Sequence, residues 1–197
     1  MLRIFILGVT LLALFAATAL FDWFRFRRQF IHEKGWRITW AKNLFPISTL
    51  FPDHLDPAVV LTYRSARLLY NASAGYQLFD QGLAVDTTRW NSNVKVWNDG
   101  QCVPGIVLID VIDGSIEDKH GACTDLRWNA EGKVIGAYLK LHQQHATKLC
   151  VMLHELAHVL GLDHTKRSTS IMQPVVSHRP ETLDGEDVNA LRREYKR

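Results

Sequence analysis

Residues 154 to 164 read His-Glu-Leu-Ala-His-Val-Leu-Gly-Leu-Asp-His, and few folds accommodate that string. Side chains four apart on an α-helix lie on one face, one turn up, so His154 and His158 can aim at one point. Zinc binds imidazole nitrogen at about 2.0–2.1 Å, and a catalytic zinc takes three protein ligands and keeps one position for water. Two histidines are one short. Gly161 supplies the bend, because glycine enters the left-handed conformation that ends a helix and turns the chain back. His164 then returns as the third ligand. Glu155 stands beside a ligand, where it can take a proton from the water. A shuffled chain of this composition carries the full spacing only about four times in a hundred thousand. A plain amphipathic core helix with chance histidines is therefore set aside.

A second string, Ser170-Ile171-Met172-Gln173-Pro174, lies just downstream. Alone, a methionine beside a proline is a buried side chain at a turn. Following the histidine helix, it resembles the Met-turn of metzincin metallopeptidases, and Leu162-Asp163-His164-Thr165 resembles the matrixin branch of that group. The resemblance covers about residues 36–195 and is tight over 153–174. It implies an α+β, metzincin-like catalytic domain: a twisted, mostly parallel sheet with an antiparallel edge strand, a backing helix, an active-site helix and a C-terminal helix. It implies a zinc endopeptidase that cuts extended polypeptides by way of a zinc-bound water activated by Glu155. One catalytic Zn2+ would be held by His154, His158 and His164, with Met172 as an apolar floor under it. The family builds its specificity pocket after the Met-turn, which here means Gln173, Pro174, Val175 and Val176. Their apolar character suggests a hydrophobic residue after the cut.

The rest of the chain reads as one compact domain over residues 36–197. Trp36 to Trp40 looks like the first strand of such a domain. Asp56 and Pro57 start a helix as N-cap and first-turn proline, and Val59, Val60, Tyr63, Ala66, Leu69 and Tyr70 recur at helical spacing. Tyr76 to Phe79 and Val94 to Trp97 read as short strands. Gly105 to Ile109 is a continuous apolar run, as in a strand buried on both faces. Ala122 to Trp128 and Lys133 to Leu141 flank the turn-rich Asn129-Ala130-Glu131-Gly132 and read as a hairpin. By resemblance, the edge strand that pairs with substrate falls near His120 to Asp125. Leu183 to Leu191 with Tyr195 looks like the closing helix.

Residues 1–21 read as a signal peptide or membrane anchor. Ile4 to Phe21 are 18 residues without a charge, marginally enough to span a bilayer. Ala17-Thr18-Ala19 equally offers a signal-peptidase site. The length favours a retained anchor. Residues 22–35 form a basic aromatic flank, with Arg25, Arg27 and Arg28 beside Phe24 and Phe26. The positive-inside rule would hold the domain in the cytoplasm, whereas the matrixin resemblance implies an extracytoplasmic enzyme, anchored or secreted; the latter is followed here.

Net charge is only +3, and no phosphate loop or nucleic-acid motif is present, so the expected partners are a polypeptide substrate and the membrane, with the domain a monomer. Of the three cysteines, Cys102 and Cys123 could pair in an oxidising space. Cys150, one turn before His154, is either an inhibitory thiolate or an extra ligand or, more simply, a small residue packing the helix. No cysteine precedes residue 102, so a latency cysteine of the matrixin type is not expected. His32, His54, His120, His142, His145 and His178 lack the spacing for a second site. Asp110, Asp113, Glu117 and Asp118 could bind calcium, but a solvated acidic loop is the favoured reading. Two rivals to the peptidase remain: a membrane-anchored, non-catalytic binding module stapled by zinc, and a cell-wall peptide hydrolase. Glu155 argues against the module, since a structural site has no need of it and closes with a fourth protein ligand.

Overall fold

The computed structural model describes residues 31–33, 36–113, 121–175 and 179–195. The leader and basic flank through residue 30 lie outside the described residues, as do His120, Glu117, Asp118, Val176 and His178. Among the described residues no helix is long and apolar enough to cross a membrane.

In chain order the strands are β1 (His32–Glu33), β2 (Trp36–Arg37), β3 (Thr39–Trp40), β4 (Ser48–Pro52), β5 (Leu83–Val85), β6 (Ile106–Ile112), β7 (Ala122–Trp128) and β8 (Lys133–His142). The helices are α1 (Pro57–Ala74), α2 (Thr87–Asn98), α3 (Leu149–Val159) and α4 (Gly185–Tyr195). Six strands form one sheet in the order β3-β8-β6-β4-β5, with β7 also on β8. All pairings in it are parallel except β7 against β8. This is the α+β arrangement that the motifs imply, among the described residues a mostly parallel sheet with one antiparallel strand and four helices.

Both faces of the sheet are covered, which explains the unbroken apolar run in β6. Val107 and Ile109 point into the main core with Ala137, Leu139 and Leu141 of β8, Tyr63, Ala66 and Tyr70 of α1, and most of α3. Leu108 and Tyr138 point the other way, against Trp90 and Trp97 of α2. A parallel strand sandwiched this way has no solvent face on which to place polar residues.

The start and stop of α1 follow from its sequence. The Asp56 carboxylate accepts the Ala58 amide at 2.8 Å, and Gly75 ends the helix at φ 81°. Tyr70 then reaches across to donate its hydroxyl to the Leu153 carbonyl at 2.6 Å, tying the backing helix to the histidine helix.

Several expected elements differ. Val94 to Trp97 is not a strand but the end of α2. The Asp86 carboxylate caps that helix by accepting the Arg89 amide at 2.9 Å, and Trp90 and Trp97 bury one face at a spacing of two turns. Tyr76 to Phe79 forms only a single bridge, Phe79 to Ile47. There the Asn71 side chain accepts the Leu78 and Phe79 amides and donates to the Phe79 carbonyl, taking the place of a partner strand. Trp36 to Trp40 is split: β2 turns back antiparallel on β1, while β3 joins the main sheet beside β8. Strands β4 and β5 carried no alternation strong enough to reveal them. The hairpin of β7 and β8 forms as its turn residues predict, with a bulge between Arg127 and Trp128. Cys102 and Cys123 are free thiols rather than a disulfide. Cys102 packs against Gly136, whereas Cys123 pairs with Lys140 further along β8 and turns its thiol toward Asp125.

Candidate metal centre

Helix α3 is apolar almost all round, and every residue from Cys150 to Ala157 is buried. Such a helix is held by packing rather than by propensity. It ends in a Schellman motif. The Leu162 amide donates to the Ala157 carbonyl at 2.9 Å and the Gly161 amide to the His158 carbonyl at 2.8 Å, with Gly161 at φ 85°. The chain then reverses, and the Asp163 carboxylate accepts the His164 amide at 2.7 Å.

That reversal brings the three imidazoles together. Nε2 of His164 lies 3.1 Å from Nε2 of His154 and 3.1 Å from Nε2 of His158. Two of the rings have their tautomers set from behind. His154 donates Nδ1–H to the Ile171 carbonyl at 2.8 Å, and His158 donates Nδ1–H to the Leu162 carbonyl at 2.8 Å. Each therefore presents a lone pair, not a proton, on Nε2. Burial, reinforced by the neighbouring imidazoles, lowers His154 to about 2 and His158 to about 4, so both rings stay neutral.

Converging lone pairs repel unless a cation lies between them. A tetrahedral zinc with nitrogens at about 2.0–2.1 Å sets those nitrogens roughly 3.3 Å apart, close to the spacing found. The donor set fits zinc, and this triad is the one group of three or more metal-ligating side chains that converges among the described residues. Cys150, in the first turn of α3, is buried in the main core and is not part of the triad. Asp110 and Asp113 line a surface cavity of about 340 Å³. Asp110 there accepts the Tyr138 hydroxyl at 3.0 Å, and no third ligand joins the pair among the described residues.

Glu155 is 3% exposed. Its Oε2 accepts the Thr124 hydroxyl of β7 at 2.6 Å. Burial pushes the carboxyl up to about 7, while that hydrogen bond and the Arg179 guanidinium pull the other way. A carboxyl poised near neutrality is what a general base requires.

The turn after the histidines is braced from the C-terminal helix. Asp187 of α4, buried, accepts the Ser170 hydroxyl at 2.9 Å, the Ile171 amide at 3.1 Å and Arg167 Nη2 at 2.6 Å. Asp184 caps α4 by accepting the Glu186 and Asp187 amides and also pairs with Arg167. The Met172 carbonyl accepts the Thr165 amide at 3.0 Å, closing the loop that carries His164. Met172 itself is buried in the main core.

Of the expected pocket residues, Gln173 donates its side-chain amide to the Arg167 carbonyl at 3.0 Å. Val175 is half-exposed, and Val176 lies outside the described residues. The sequence reading passed over Arg179, Thr124, Arg167 and Asp187. Arg179, 7% exposed, reaches the metal centre itself: its Nη2 donates to His154 Nε2 at 3.1 Å. Nothing in the neighbouring sequence marks this arginine, and only the folded chain brings it to the histidines.

Comparison with known families returns the matrixin family, whose model matches residues 54–196. Among curated proteins none matches the chain.

Proposed function

The chain belongs to the matrixin family of zinc metallopeptidases, and from that premise we propose that it is an endopeptidase that cleaves extended polypeptides with Glu155 as general base. The observation that carries this reading is the meeting of three Nε2 atoms, two with fixed tautomers, beside a buried carboxyl held near neutrality. His154, His158 and His164 would hold one zinc, which would supply Lewis acidity to the scissile carbonyl and to water. Glu155 takes the proton of the attacking water and passes it to the departing amine. Thr124 keeps the carboxylate turned toward its work, because its hydroxyl donates to Oε2. Met172 closes the core beneath the turn, and Gln173, Pro174 and Val175 would flank the bound chain.

Strand β7 supports the choice of extended substrates. It pairs with β8 alone among the described strands, and an unpaired strand edge is a template for an added peptide strand. Thr124, on that same strand, links the edge to Glu155. Residues 1–21 would deliver the domain outside the cytoplasm, retained as an anchor or cleaved; alkaline extraction of membranes separates these two states.

The test is cleavage of a blocked peptide library by the purified full chain, with and without chelator. Zinc-dependent cuts inside peptides support the endopeptidase. Cuts confined to cell-wall peptides support the second rival, and zinc binding without any cleavage supports the binding module.

A further inference from the structure

We propose that Arg179 makes this peptidase select substrates bearing a carboxylate within about two residues of the cleaved bond. The proposal rests on the peptidase reading and deepens it. It replaces the apolar preference that Pro174, Val175 and Val176 suggest by themselves.

Arg179 carries five N–H donors in a planar fork. Its Nε donates to the Gln173 carbonyl at 2.7 Å, and Nη2 donates to the Pro174 carbonyl and to His154 Nε2, both at 3.1 Å. Two backbone carbonyls thus fix the plane of the guanidinium. Nη1 is buried and finds no hydrogen-bond partner among the described residues. No carboxylate lies within ion-pair distance of Arg179 among them either: the ion pairs of this region belong to Arg167. The nearest counter-charge felt by this guanidinium is the Glu155 carboxyl, beyond ion-pair distance, and a buried cation balanced only at a distance is costly to maintain.

Zinc sharpens that demand. The lone pair on His154 Nε2 serves one electrophile at a time, so a metal ligated there frees the Nη2 proton now pointing at it. Nη1 and Nη2 then offer an end-on pair of donors, which is the geometry that grips a carboxylate with two parallel hydrogen bonds. Two side chains of this reach set the distance to the cut. Nη2 lies 3.1 Å from a metal-ligand nitrogen, and an extended peptide rises roughly 3.3 Å per residue. The carboxylate therefore belongs to a residue flanking the scissile bond, as an acidic side chain or as the free C-terminus of a short substrate.

The test uses the full chain carrying Glu155→Gln, loaded with zinc, and calorimetric titration of paired blocked peptides built around a cut site mapped with the wild type. One arm exchanges Glu for Gln on either side of the cut; the other exchanges a free C-terminal carboxylate for an amide. At least tenfold tighter binding of the acid in either arm supports the proposal, and the arm that responds identifies the source. The preference is expected to weaken when zinc is removed and to vanish in Glu155→Gln/Arg179→Met, with Arg179→Lys keeping part of it. Equal binding of acid and amide in both arms overturns the proposal and leaves the peptidase intact. A kcat loss in Arg179→Met that is the same for acidic and neutral peptides also overturns it, assigning Arg179 to the transition state instead. If Arg179→Met does not fold, the acid and amide comparison on the unsubstituted Arg179 background decides alone. Absence of both cleavage by wild type and peptide binding removes the peptidase reading and this selectivity together.

Discussion

At the scale of single residues, the proposed chemistry rests on Glu155 and the three imidazoles of His154, His158 and His164. Replacing Glu155 by Gln keeps the Thr124 hydrogen-bond partner and all three imidazoles while removing the base. We expect unchanged zinc content by elemental analysis and a fall in kcat of about 10²–10⁴-fold; wild-type turnover would remove Glu155 from the mechanism. The same residues give the metal-free chain a distinctive pH response. His154 and His158 are depressed from 6.5 to about 2 and about 4, so folding expels their protons and stability grows as pH rises toward 6.5. Glu155 is raised from 4.5 to about 7, so its contribution is greatest below 4.5 and is lost as pH climbs to 7. Between pH 4.5 and 6.5 two histidines oppose one carboxyl. The unfolded chain then binds about one proton more than the folded chain, for a net gain of roughly 2–3 kcal/mol across the window. Denaturant melts of the chelated protein at pH 4.5, 5.5 and 6.5 should show a rising midpoint; a falling one would place the histidines in a more exposed setting.

At the scale of elements, the centre depends on two junctions. The first is the reversal at Gly161, whose φ of 85° costs any other residue about 1–2 kcal/mol. Gly161→Ala should lower stability by that amount and weaken zinc binding, because His164 approaches only through this turn. Zinc titration with a competing chelator reads the second effect, and an unchanged affinity would mean that the third histidine reaches the metal by another path. The second junction joins the Met-turn to α4 through Asp187, which accepts from Ser170, Ile171 and Arg167 at once. Asp187→Asn leaves Arg167 short of a partner and should cost about 2–3 kcal/mol, discounted because Arg167 is partly solvated. Since the Ile171 carbonyl sets the His154 tautomer, zinc affinity should also fall, by about 10–100-fold. Loss of stability with full zinc affinity would show that the turn holds its shape without α4.

At the scale of the whole molecule, the sheet and helix α1 form a back against which α3 is buried, and a zinc held by the triad would join α3 to the returning loop. Zinc that binds only the folded chain stabilises it by mass action, by about 2.7 kcal/mol when free zinc exceeds its Kd a hundredfold. Chelation should therefore lower Tm, restoration of one zinc per chain should recover it, and a second tightly held zinc would contradict the single-site reading.

Legibility varied with the range of the forces involved. The ligand set, the bend at Gly161, the cap at Asp56 and the hairpin turn are local statements. Spacing, a positive φ or a short side chain fixes each within one or two turns of chain, and in the fold the imidazoles converge, Gly161 turns, Asp56 caps and the hairpin pairs. Helix α2 leaves little local trace because its partners, Leu108 and Tyr138, lie in other strands, and a weak alternation hides two tryptophans two turns apart on one face. The split at Trp36 to Trp40 and the free Cys102 and Cys123 depend on which strand lies beside which. Arg179 is the sharpest case: it follows His154 by 25 residues, and nothing near it in the chain tells a buried arginine from a surface one. Burial and pairing between distant segments arise when the chain collapses around a common core, so the residues that they define have no signature in their own neighbourhood.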